Sequence, residues 1–156
     1  MKALIVLLAL GLTAQTSAQT SAQASAFELV SQSEYRASEA QEKLIPPFNS
    51  RSTPAPSDPV IEVRSPSLTA PIKAPVGIDL RFLTSGAAKI NWDSLKILYG
   101  AFKLDITERV KKEAKMVGDG MQIPSANLPS GNHKLVIQVA NTEGKQTERE
   151  VRFTVE

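Results

Sequence analysis

His133 is the only histidine in 156 residues, and there is no cysteine. Any acid–base, nucleophilic or metal chemistry that needs an imidazole must therefore run through one side chain. Thiolate metal sites, cysteine nucleophiles and disulfide scaffolds are excluded. A Ser-His-Asp triad has serines to draw on and Asp79, Asp93, Asp105 and Asp119 as orienting carboxylates. It lacks the Gly-x-Ser-x-Gly turn that would lift a serine into a cleft. No run of alternating carboxylates offers a calcium loop. The sequence thus assigns no catalytic, metal-binding or cofactor-binding residues and no cofactor, and it reads as a non-enzyme.

The residues better suited to contact than to chemistry are Trp92, Arg109, Lys111, Lys112 and Lys115. The four cations form a local basic cluster that would meet an anionic glycan or a lipid head group. Glu108 and Glu113 interrupt it, and a solvated, charge-laced face is the competing reading. Trp92, the only tryptophan, lies in the polar stretch Lys89-Ile90-Asn91-Trp92-Asp93. There it would either stack on a sugar or partner, or fold down to cap the end of a domain. With 18 Lys and Arg against 16 Asp and Glu, the formal charge is only +2. That balance argues against a nucleic-acid binder, which needs a concentrated basic surface to displace counterions.

The elements that would position these residues begin after an address. Lys2 precedes a ten-residue apolar run, Ala3 to Leu12, followed by small and polar residues, the layout of a secretory signal peptide. The run is too short to span a bilayer as a helix. Acceptable cleavage triplets are Thr16-Ser17-Ala18, Ala22-Gln23-Ala24 and Ala24-Ser25-Ala26. Cleavage is expected between 18 and 26, with Ala18 preferred as nearest the apolar run, so residues 1–18 are the signal peptide and the mature chain is periplasmic or secreted.

Residues 19–59 read as a mostly disordered, flexible tail. Thr16 to Gln23 repeats TSAQ, and eight of the ten prolines fall between Pro46 and Pro75, so a proline-rich linker closes the tail. Within it, Ser31 and Glu34 have capping-box spacing, and Val30 and Tyr35 are placed to staple the first turn. A marginal helix over 32–44 is expected, carried by the Glu39–Lys43 pair and a thin apolar side of Tyr35, Ala40 and Leu44. On this reading residues 27–59 are a tether or docking segment, and proteolysis removes everything up to about Pro59.

From Val60 the hydrophobic period becomes two. The alternating sets are Ile61 and Val63; Ile78, Leu80 and Phe82; Leu95, Ile97 and Tyr99; Leu135, Ile137 and Val139; and Val151, Phe153 and Val155. Ser85-Gly86, Asp119-Gly120 and Glu143-Gly144 supply turns, the Asp-Gly pair signalling a hairpin between 114–117 and 121–123. Residues 60–156 are expected to form an all-β sandwich of about seven strands. A helical turn near 107–112 interrupts it, opened by an Asp105 to Glu108 capping box, with Ile106, Val110 and Ala114 recurring every four residues.

Several stretches within this region carry a family likeness: Tyr99-Gly100, Leu104 to Val110, Leu128-Pro129-Ser130-Gly131-Asn132-His133-Lys134-Leu135, and Asn141 to Lys145 before Phe153-Thr154-Val155. Together they resemble bacterial immunoglobulin-like domains. That resemblance implies an immunoglobulin-like β-sandwich over about Val60 to Glu156, and a role for His133 as a corner residue bonded back to the loop backbone. Some periplasmic proteins of this kind bind copper through histidine and methionine, which makes Met116, Met121 and His133 a set to test; two thioethers and an imidazole suit Cu(I). The reading as a whole is an exported, non-catalytic binding module of the bacterial envelope whose partner is a protein or a glycan, with no nucleic acid and no membrane span in the mature chain. The alternative is a small periplasmic metal carrier or hydrolase centred on His133.

Overall fold

A computed structural model describes residues 27–44 and 58–156. The expected signal peptide and most of the proline-rich linker lie outside the described residues. The chain forms two facing β-sheets, an all-β sandwich. The first sheet contains β1 (Phe27–Glu28), β7 (Gly120–Asn127), β3 (Val76–Leu83) and β2 (Val60–Ser65) in that spatial order, with β6 (Lys115–Val117) also paired to β7. The second runs β5 (Leu104–Asp105), β4 (Ile90–Tyr99), β8 (Gly131–Asn141) and β9 (Gln146–Val155). All pairings are antiparallel except β1 on β7.

The seven strands expected from period-two patterning and turn signals are β2, β3, β4, β6, β7, β8 and β9, while β1 and β5 are two-residue additions. Of the alternating apolar residues, all but Val63, Ile78 and Phe153 are buried, and those three pack against the buried cluster. The other face of the strands carries mainly polar residues, with Val136 of β8 a buried exception. An apolar gap of about 40 Å³ remains between the sheets, lined in part by Leu29, Ile106, Met121 and Ile137. With no polar group to anchor water, it is expected to stay dry.

Two turns differ in detail from expectation. The β6–β7 hairpin turns on Gly118-Asp119, with Gly120 already paired to Val117, because Gly118 takes the positive φ of 57° that the turn requires. The helix α2 (Thr107–Glu113) covers the expected turn, but its N-cap is Ile106, without a side-chain cap. Asp105 Oδ1 instead accepts from the Thr107 amide at 2.9 Å, and Glu108 is left exposed. Ile106 and Val110 are buried, as the four-residue spacing requires.

The larger difference is at the N-terminus. Residues 27–44, read from the sequence as part of a flexible tail, lie against the sandwich. Leu29 and Val30 are 1% and 0% exposed and belong to the main core cluster. The Leu29 amide continues the β1 pairing by donating to the Asn127 carbonyl at 3.0 Å. Helix α1 (Gln32–Glu42) follows with the expected capping box: Ser31 Oγ accepts from the Glu34 amide, and Glu34 Oε2 accepts from the Ser31 amide at 2.8 Å. Of the expected thin apolar side only Tyr35 docks, while Ala40 and Leu44 are exposed. Glu34, Tyr35 and Ser38 face the sandwich, at the three- and four-residue spacing of one helix face.

Two glycines make room for that helix. Ser38 Oγ accepts from the Ala101 amide at 3.0 Å, which is feasible because Gly100 beside it has no side chain. Tyr35 lies over Gly131, where a Cβ would overlap the phenol. Both glycines have positive φ, 68° and 134°. Gly100→Ala and Gly131→Ala are each expected to cost more than about 2 kcal/mol, backbone strain adding to displacement of α1. Gly144→Ala is the control for urea-midpoint measurements: its φ is 81° but it faces open space, so only the backbone cost should appear.

Candidate functional site

His133 sits near the start of β8, opposite Phe153 of β9, and is 3% exposed. The loop Leu128 to Ser130 turns the chain into β8 just before it, so the ring points back beneath its own corner. Nε2 lies 2.8 Å from the Pro129 carbonyl and Nδ1 lies 3.0 Å from the Tyr99 hydroxyl. A carbonyl can only accept, so Nε2 carries a proton. In the neutral ring, which burial favours, Nδ1 accepts from Tyr99, and both nitrogens are occupied. Phe153 stacks on it at 5.4 Å and 17°, while Tyr35 and Tyr99 pack tilted at 5.1 and 5.9 Å.

Burial holds the His133 pKa below its ordinary 6.5, and the Pro129 carbonyl opposes this only in part. Burial likewise pushes the Tyr99 hydroxyl upward, aided by Tyr35, Glu34 and Glu42. In both groups burial favours the neutral form.

The copper set does not converge on a centre. Met116 and Met121 are cross-strand partners on the first sheet, as the hairpin expectation had them, but Met116 is exposed and Met121 is 1% exposed within the core. His133 belongs to the second sheet and has no free nitrogen to offer. Among the described residues no three His, Asp or Glu side chains gather as a metal site.

The five candidate contact residues separate. Trp92 is half-buried and packs edge-on against Phe82 at 5.1 Å, so much of its surface serves to cap the sandwich. Arg109 is committed to α1. Its Nη1 and Nη2 bond the two Glu34 oxygens at 2.8 Å each, and Nη1 also donates to the Leu29 carbonyl at 3.1 Å. Lys111 reaches Glu108 at 3.7 Å, whereas Lys112 and Lys115 are exposed. Arg109 and Lys111 do border a common hollow of about 280 Å³, but Asp93, Asp105 and Glu108 border it too. The basic cluster is therefore a mixed-charge surface with its strongest cation neutralised.

The Glu34–Arg109 pair holds the N-terminal segment in place. The Arg109 hydrogen bond draws the Glu34 pKa down to about 2 from 4.5, burial opposes this, and the Ser31 bonds add to it. The folded value lies below the unfolded one, so the pair's contribution is present above pH 4.5 and is lost as pH falls through about 2. Glu34→Gln or Arg109→Ala is expected to cost about 1 to 2 kcal/mol after screening of the partly exposed guanidinium. Amide exchange should rise in residues 31–44 in both variants, and a variant with wild-type exchange there would contradict the clamp.

Sequence reasoning missed this docked segment and a second feature. Asn132, Lys134, Arg152 and Thr154, on adjacent ends of β8 and β9, border an open hollow of about 490 Å³ closed on other sides by Glu42 and the loop 68–71. Lys134 and Arg152 both bond Glu150, at 2.9 and 2.6 Å. Thr154 Oγ1 donates to Asn132 Oδ1 at 2.8 Å. His133 and Phe153 line the inner side of the same hollow. Register sets the grouping, and the nearest sequence signal was the Gly-x-His corner that contributes His133 to it.

No family model matches the chain, and no curated protein matches it. Among solved structures, the endo-beta-1,4-mannanase from Thermotoga petrophila superposes with a TM-score of 0.47 at 12% identity, over 65% of this chain and 20% of that one. The chain thus spans only a fifth of the mannanase's length. CopC from Methylosinus trichosporium OB3b superposes with a TM-score of 0.42 at 19% identity, over 64% of this chain and 93% of CopC.

Proposed function

We propose that this chain is an exported, non-catalytic, immunoglobulin-like binding module that engages a protein or glycan partner in the bacterial envelope. The observation that carries this reading is the state of its only histidine: buried, neutral, and hydrogen-bonded through both nitrogens to the protein itself. A hydrolase or metal carrier centred on His133 would have to break the Tyr99 bond before the ring could accept a proton or a metal. Export is supported by the Lys2 and Ala3 to Leu12 layout. No helix among the described residues is long and apolar enough to cross a membrane.

The test uses the full chain expressed with its leader. N-terminal sequencing of exported material is expected to place the mature start between Gln19 and Phe27. The dialysed protein should hold no stoichiometric copper or zinc and should not turn over ester, peptide or glycoside substrates. Retained metal, or turnover abolished by a His133 substitution, would overturn the reading; an intact Met1 in the mature pool would overturn export.

A further inference from the structure

The hollow bordered by Asn132 and Arg152 does not end at Glu42. A second one, of about 240 Å³, continues it beneath α1 to Tyr35, and the two share Glu42 and Asn132. The two adjoining hollows, one against the ends of β8 and β9 and one between α1 and Asn132, make a trough sized for a small extended ligand.

The charges along the trough cancel in pairs. Lys43 meets Glu39 at 3.2 Å, Lys134 meets Glu150 at 2.9 Å, and Arg152 is shared between Glu150 at 2.6 Å and Glu42 at 3.9 Å. These pairs lie at the surface and match one another, so they leave no unmatched charge to select a charged ligand, and an uncharged polar ligand needs none. The polar groups suit such a ligand because their orientation is already set. Thr154 holds the Asn132 carbonyl oxygen, which leaves the amide N–H pair free to donate. Glu150 fixes the Arg152 guanidinium through Nε, and Arg152 lines the first hollow. The carbon surface beside the Asn132 amide comes from the half-buried Tyr35 ring, which lines the second hollow with it. Planar donors next to an aromatic face match the alternating hydroxyl edges and C–H faces of a sugar ring.

Building on the binding-module reading, we propose that this trough binds a neutral oligosaccharide. The experiment probes the full chain against an array of neutral and anionic oligosaccharides, followed by calorimetric titration of the glycans retained. The expected result is retention of neutral glycans with affinity insensitive to salt. Asn132→Ala and Arg152→Ala, both at exposed positions, should each weaken binding by about tenfold or more, the worth of one to two hydrogen bonds, at an unchanged melting temperature. Lys112→Ala should bind as wild type. Retention of anionic glycans alone with steep salt dependence, no retention at all, or binding indifferent to both trough variants would each overturn the proposal. An envelope protein captured by wild type and lost in both variants, without glycan binding, would assign the trough to a protein and leave the module reading standing. Cleavage of a bound glycan would instead overturn the module reading.

Discussion

A chain that begins at Asp58 is expected to unfold or to melt far below the intact protein, although the sequence alone places everything before it in a dispensable tail. Removing residues 27–44 withdraws Leu29 and Val30 from the core, at about 1.5 to 3 kcal/mol for each buried side chain. It also removes the bidentate Glu34–Arg109 pair, worth about 1 to 2 kcal/mol, and leaves to water the Ala101 amide that Ser38 now satisfies. Together these amount to roughly 4 to 8 kcal/mol, a large share of the roughly 5 to 15 kcal/mol that holds a domain folded. A chain beginning at Phe27 should match the full chain in urea midpoint and far-ultraviolet circular dichroism. Adding a peptide of residues 27–44 to the shortened chain should restore part of the loss. Equal stability of the two truncations would show that the segment rests on the sandwich without supporting it.

The second large effect is expected at His133. Replacement by alanine removes a ring packed among Tyr35, Tyr99 and Phe153 and leaves the Tyr99 hydroxyl and Pro129 carbonyl without partners. A loss of about 3 kcal/mol is expected from cavity and stranded polar groups combined. His133→Phe restores most of the volume but neither hydrogen bond, so the difference between the two variants separates packing from polar pairing. Tyrosine should be tolerated better than alanine, because its hydroxyl can bond back to the loop. The wild type adds a pH signature. Because the folded pKa lies below 6.5, the unfolded chain binds the proton more readily, so this contribution is complete above pH 6.5 and declines as pH falls below it. Acid destabilisation should therefore begin near pH 6.5, continue with Glu34 between pH 4.5 and about 2, and lose its first phase in His133→Phe.

What could be read from the sequence was local. Alternation along β2, β3, β4, β8 and β9 identified the buried face because a strand's side chains alternate with a period that needs no partner to be seen. Ile106 and Val110 marked α2 for the same reason. Apart from the local details of the β6–β7 turn and the α2 cap, the failures concern partners distant along the chain. Glu34 meets Arg109 across 75 residues and Ser38 meets Ala101 across 63. Neither end carries a local sign of the other. A search for an apolar stripe on α1 selected Tyr35, Ala40 and Leu44, of which only Tyr35 docks, because the docked face also uses a hydroxyl and a carboxylate. Arg109 looked like part of a basic patch because its neighbouring lysines were visible and its carboxylate was not. Trp92 carried two readings, and its contact with Phe82 favours the capping one.

The central claim is that the lone histidine is a structural fastener and the protein works by binding alone. A long-range proton–nitrogen NMR spectrum of the His133 ring, followed through a pH titration with and without added Cu(I), Cu(II) or Zn(II), tests it most directly. The account predicts a single Nε2–H tautomer, an apparent pKa below 6.5 and ring shifts that the metals leave unchanged. An Nδ1–H tautomer, a pKa at or above 6.5, or ring nitrogen shifts that move stoichiometrically with metal would contradict it.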